Sequence, residues 1–207
     1  MGHNTNKLYY EYLAKCILEA FLPSLFTGIA LSDKPDLINS NGDGIEVTRA
    51  LFTGDGEANG RFQKIKNKPI EEIDKRDLTR LQQLDCNVLY FNGKAGGYSP
   101  PAQWCTLVEI QTAFSDKLRK ADSYENTSML FVYSPMFDWY EPGMIEDFTQ
   151  WAASIQKAKE KHFSKVFVFE YTSLYICNLD TQKVTKLSLD HDTVQKCCEQ
   201  AMSFVEE

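Results

Sequence analysis

Two carboxylates flank a turn-rich run in this chain: Asp36 in Lys34-Pro35-Asp36-Leu37, and Glu46 in Gly44-Ile45-Glu46-Val47-Thr48-Arg49. The intervening Ser40-Asn41-Gly42-Asp43-Gly44 is dense in residues that tolerate positive φ. That composition predicts a hairpin, with strands over 37–39 and 45–50. Such a hairpin folds Asp36 back beside Glu46. Side chains alternate across a strand, so Glu46 and Thr48 share one face while Ile45, Val47 and Arg49 take the other. An acid between two core residues has a poor structural excuse. Two carboxylates held close repel unless a proton or a cation intervenes. Oxygen-only ligands with open positions suit Mg²⁺ or Mn²⁺, which polarise phosphoryl oxygens and generate hydroxide from bound water. The plain alternative is a pair of ordinary turn and strand-end acids. A calcium loop over the same residues fails, because Glu46 falls where an apolar residue belongs and Ala50 where the bidentate Glu is required.

Pro-Asp, a turn, then an apolar-Glu-apolar strand resembles the active-site hairpin of the PD-(D/E)xK, or restriction-endonuclease-like, superfamily. The order of elements over roughly 7–135 is also similar. The resemblance implies a mixed α/β fold of that type and Mg²⁺-dependent hydrolysis of DNA or RNA backbones. It makes Asp36 and Glu46 the metal ligands, with Gly44 serving the turn. The family places Lys two positions after the second carboxylate, where this chain has Thr48. A threonine hydroxyl orients a water but carries no charge. Members of the superfamily sometimes move the lysine to a neighbouring element, and Lys117 is the first candidate here, ahead of Lys64 and Arg49. The alternative for Lys117 is a solvated charge on an amphipathic helix. The family also recruits a Glu from its first helix. At about 100° per residue, Glu19 falls at the edge of the apolar stripe, and Glu11 lies nearly opposite, in water.

The elements that must position these residues follow from periodicity. Helices are expected over 7–22, 69–84, 104–120, 143–161 and 192–206. Further strands are expected over 88–91, 129–133, 166–170, 174–178 and 184–189. Residues 53–68 are turn-rich and basic, and the stretch through Gly96-Gly97 to Pro100-Pro101 is expected to be loop. Alternating helices and strands without a long linker predict one domain over 1–207, a mixed sheet flanked by helices.

Composition narrows the classes. The chain has 207 residues, 22 Lys and Arg against 29 Asp and Glu, and a net charge of −7. That balance disfavours a protein that coats nucleic acid non-specifically. One local basic patch, Arg61, Lys64, Lys66 and Lys68, is a candidate nucleic-acid contact, or else a solvated loop face. With 3 His, neither a Ser-His-Asp triad nor a His zinc site can be built. The 6 Cys show no metal or disulfide spacing, and the vicinal Cys197-Cys198 lacks a third soft ligand. The Asn92-Gly93-Lys94-Ala95 run is no P-loop. Trp104, Tyr133, Phe137, Trp139 and Tyr140 are core aromatics or base-stacking rings. No signal peptide and no membrane-length apolar run is visible, so a cytoplasmic location is expected. The rivals to a nuclease are an inactive binding module on the same fold and an acidic interaction protein of immunity type. Homodimerisation is compatible with each.

Overall fold

The computed structural model describes residues 5–52, 54–99, 107–120, 126–134, 143–160 and 162–206. They form two compact units, Leu51–Glu109 and the remainder of the chain.

The larger unit is α/β, built on a seven-stranded mixed sheet. In chain order it contains α1 (Thr5–Phe21), β1 (Ala30–Leu31), β2 (Leu37–Ile38) and β3 (Gly44–Arg49). The smaller unit holds α2 (Asp55–Ile65), a 3₁₀ turn (Ile70–Glu72), α3 (Lys75–Gln83), β4 (Asn87–Phe91) and β5 (Lys94–Ser99). The chain continues with α4 (Leu107–Lys120), β6 (Thr127–Tyr133), α5 (Met144–Gln156), β7 (Lys165–Glu170), β8 (Ser173–Asn178), β9 (Lys183–Ser188) and α6 (His191–Glu206). The strand order is β1-β2-β3-β6-β7-β8-β9. The three central strands β3, β6 and β7 run parallel, and the pairs at either side are antiparallel.

Parallel strands need helical crossovers that cover both faces, so the central strands are largely apolar. Leu130, Phe131, Val132, Val166, Phe167 and Val168 are all buried. On one face Ile45, Val47, Phe131 and Phe167 pack with Leu13, Ile17 and Leu18 of α1 and Val194 and Ala201 of α6. On the opposite side Phe114 of α4 meets Phe148 and Trp151 of α5 and Phe163 in edge-to-face contacts at 5.7–5.9 Å. Glu46 and Thr48 alternate with Ile45 and Val47 and so belong to the α4 side of β3.

The smaller unit has its own core, in which Phe52, Ala58, Phe62, Ile65, Ile73, Leu81, Cys86 and Ala95 are buried together. Three of its segments differ from the sequence expectation. Residues 55–65 form a helix despite Gly56 and Gly60, because Ala58, Phe62 and Ile65 recur at helical spacing and bury one face. Residues 94–99 form a strand despite Gly96-Gly97, because they complete a hairpin with β4. The expected helix over 69–84 is split by Ile73 and Asp74, whose carboxylate caps α3 by accepting from the Arg76 N–H at 2.8 Å. Trp104, Phe137, Trp139 and Tyr140 lie outside the described residues. Tyr133 is buried in the sheet. Among the described residues no helix is long and apolar enough to cross a membrane.

Candidate functional site

The hairpin forms through its own turn chemistry. The Asn39 side-chain oxygen accepts from the N–H groups of Asn41 and Asp43 at 3.0 and 2.8 Å, and Gly42 takes φ +85°. Leu37 pairs with Ile45 and Ile38 with Gly44. One step further in that register sets Asp36 opposite Glu46. Gly44 is required by a close approach, because the Pro35 ring occupies the space where a Cβ would stand. The Val47 N–H donates to Asp36 Oδ2 at 2.8 Å and locks the carboxylate against β3.

Two helices then deliver cations from the two sides of the sheet. Lys117 of α4 places its Nζ 2.5 Å from Glu46 Oε2 and 3.3 Å from Asp36 Oδ2. Lys7 of α1 lies 2.9 Å from Asp36 Oδ1 and 2.9 Å from Glu11 Oε1. The result is a charge chain, Glu46–Lys117–Asp36–Lys7–Glu11, with Asp36 at its centre. The carboxylates are buried, Asp36 and Glu46 at 3% and 2% exposure. Lys117 is largely covered, whereas the Lys7 side chain is 56% exposed and forms the solvent side of the cluster.

Three carboxylates against two ammonium groups leave an excess of negative charge, and the protonation equilibria carry its imprint. Burial pushes the Glu46 carboxyl up, Lys117 opposes this, and the charge of Asp36 adds to the rise. Glu11 is likewise raised, chiefly by burial, with Lys7 opposing and Asp36 reinforcing. Asp36 feels the same burial, but Lys117, the Val47 N–H and Lys7 together outweigh it and hold the carboxyl below the usual range. Burial works against the charged form of Lys117, yet Asp36 and Glu46 prevail and raise it. Lys7 is raised in the same way by Glu11 and Asp36.

Of the residues singled out in the sequence, Asp36, Glu46 and Lys117 are brought together. Thr48 is half-buried on the Glu46 face of β3, paired with Val132. Glu19 is not part of the group. Its carboxylate binds Lys15 at 2.9 Å and accepts from the Ile29 N–H at 2.7 Å, and Lys15 also donates to the Ile29 carbonyl at 2.6 Å. It ties α1 to the loop before β1. The helix-one acid at the site is Glu11, which the sequence pattern had placed in water. The buried face of α1 includes Ala14 and Leu18, and Leu18 lies seven positions after Glu11, two turns along the same face. Counting Ala14 and Leu18 within the stripe brings Glu11 onto it, and Lys7 one turn before. Arg49 points away from Glu46, its guanidinium 4.7 Å from the centre of the Tyr10 ring. In the smaller unit Lys64, Lys66 and Lys68 are exposed, while Arg61 is engaged by Asp77 at 2.9 Å and by Glu57 at 3.8 Å. The basic patch therefore loses Arg61 and keeps its lysines.

Among the described residues no group of three or more His, Cys, Asp and Glu side chains is arranged to hold a metal ion. The Asp36–Glu46 pair is of the donor type that a hard divalent cation takes. Its donors are oxygens only, the cluster is net negative, and a cationic group already sits between the two carboxylates. Mg²⁺ commonly uses one or two protein carboxylates and fills its remaining positions with water and substrate oxygens. Comparison with family models, curated proteins and solved structures returned no match.

Proposed function

We propose that the larger unit is a restriction-endonuclease-like phosphodiesterase that hydrolyses nucleic-acid backbones with Mg²⁺ or Mn²⁺. The observation that carries this reading is the arrival of Lys117 from α4 at Asp36 and Glu46, which fills the role left open by Thr48 in the hairpin. Asp36 and Glu46 would hold the ion, which when bound supplies Lewis acidity and a more acidic water. Lys117 offsets the charge that grows on the phosphoryl oxygens as the bond to the leaving group lengthens. Glu46 faces the α4 side of β3, where the attacking water would approach. Thr48, on the same face, offers a hydroxyl to orient that water. Lys7 and the Val47 N–H fix Asp36 from two directions.

A second reading is favoured by one observation. Both Asp36 oxygens are already engaged by lysines, which describes a catalytically inactive binding module equally well. Cleavage assays on single- and double-stranded DNA and RNA with Mg²⁺ or Mn²⁺ separate the two. The proposal expects cleavage that is lost in both Asp36→Ala and Lys117→Ala. Activity that survives Asp36→Ala removes the site assignment, and failure to cleave any substrate favours the binding module.

A further inference from the structure

We infer that the outer face of the β4–β5 hairpin is a stacking platform for unpaired nucleotides, with Phe91 the base-stacking ring and Lys68 and Lys94 the phosphate contacts. This rests on the reading that the protein acts on nucleic acid, and it names the form of nucleic acid and the surface that holds it.

The hairpin has two unlike faces. Tyr90 pairs with Ala95 and Val88 with Tyr98, and Ala95 is buried in the unit's core with Val88 and Tyr98 packed beside it. Phe91 pairs with Lys94 on the opposite face, where Leu89 also lies. Here Phe91 is 63% and Leu89 44% exposed. A ring of this size left open forgoes the stabilisation that its burial would give. One edge of it is nevertheless held in place. The Phe91 ring lies over Gly96, where any Cβ would collide with its Cδ2. Gly96 thus supports the ring and leaves the rest of it facing water.

Lys94 shares the face of this ring, and Lys68 sits on the neighbouring edge of the hairpin. Pro69 bridges Lys94, the Asn67 N–H donates to the Ala95 carbonyl at 2.8 Å, and the Ala95 N–H donates to the Lys68 carbonyl at 3.0 Å. The 67–69 segment therefore lies beside β5 through a single isolated bridge, and Lys68, opposite Ala95, sits at the edge of the hairpin. Lys68 and Lys94 are exposed and form no ion pair among the described residues. The acidic Glu71 and Glu72 in the following 3₁₀ turn bound the patch on that side.

An aromatic face flanked by ammonium groups matches a ligand that alternates bases with phosphates. Every base has a π-face, so such a platform accepts a strand without reading its sequence. Reading a duplex through its major groove needs donors and acceptors aimed at base edges. The outer face offers Leu89, Phe91 and Gly96 instead, which select bases already free of their partners.

The test is fluorescence anisotropy of a labelled oligothymidylate and a labelled duplex, in EDTA so that nothing is cleaved, with the full chain and three variants. Phe91→Ala is expected to weaken single-strand binding about tenfold or more, and Phe91→Trp to retain it. The Lys68→Glu/Lys94→Glu double variant is expected to weaken binding and flatten its log–log salt slope by roughly 1.4. Thermal melts check that each variant is folded. Unchanged affinity in folded Phe91→Ala and in the lysine variant overturns the inference. So does a duplex that binds as tightly as the single strand. A wild type that binds no strand also overturns it, and a hairpin variant that then changes sedimentation marks the face as a contact between copies. Binding that depends on Phe91 without cleavage leaves the platform standing and removes the phosphodiesterase. Cleavage with binding indifferent to Phe91 does the reverse.

Discussion

Lys117→Met is the most informative single change, because it removes the ammonium between Asp36 and Glu46 while keeping the length of the side chain that fills the space. Breaking one partner out of a buried ion pair costs about 3–5 kcal/mol. Lys117 is 17% exposed and Glu46 can take up a proton, so about 3 kcal/mol is expected near neutral pH. The sign of the pH dependence follows from the two carboxyls. Asp36, lowered in the folded state, adds stability that is complete above its unfolded pKa of about 3.9 and is lost as pH falls through the lowered value. Glu46, raised in the folded state, favours folding below its unfolded pKa of about 4.3, and that contribution is lost as pH rises through the raised value. Without Lys117 both carboxyls move up. The substitution is then most damaging where both are ionised, and its cost shrinks on acidification as Glu46 protonates. Urea unfolding followed by circular dichroism at about pH 8 and about pH 5 reads this directly, well above and close to the carboxylate range. The Lys117→Met/Glu46→Gln double variant is expected to recover part of the loss, since no uncompensated charge pair is left. A cost under about 1 kcal/mol at the higher pH, a cost that does not shrink at the lower one, or no recovery in the double variant would refute the reasoning.

Glu19→Ala breaks the tie between α1 and Ile29 and is expected to cost about 1–2 kcal/mol in urea melts, while divalent-ion binding stays as in the wild type. A change in Mn²⁺ affinity measured by calorimetry would return Glu19 to the site. Gly44→Ala forces a methyl group into the Pro35 ring and is expected to cost about 1–3 kcal/mol, with the lost stability visible as a lower thermal midpoint. An unchanged midpoint would mean that the hairpin yields without strain.

The hairpin and its two carboxylates were legible because turn chemistry and strand alternation act over a few residues. Asn39, Gly42 and Gly44 announce the turn, and Ile45 and Val47 fix which way Glu46 points. Lys117 was within reach of the same logic, since a helix crossing between parallel strands must pack on the sheet. Glu11 was not, because α1 buries a wider arc than a stripe drawn through Leu13, Ile17 and Phe21, with α6 and the sheet both packed against it. Helix α2 and strand β5 were hidden by their glycines. Their stability comes from the packing of Ala58, Phe62 and Ala95, which pairs residues far apart in the chain.

Lys117 and Glu46 lie 71 positions apart, and most of that separation is the Leu51–Glu109 unit. Closing a flexible loop costs entropy that grows with its length, by roughly 0.6 kcal/mol for each doubling. A segment that has already collapsed around Phe62, Ile65 and Leu81 is no longer a flexible loop, and its two ends are no longer free to wander. With that core formed, bringing β3 and α4 together costs less entropy than closing a flexible loop of the same length.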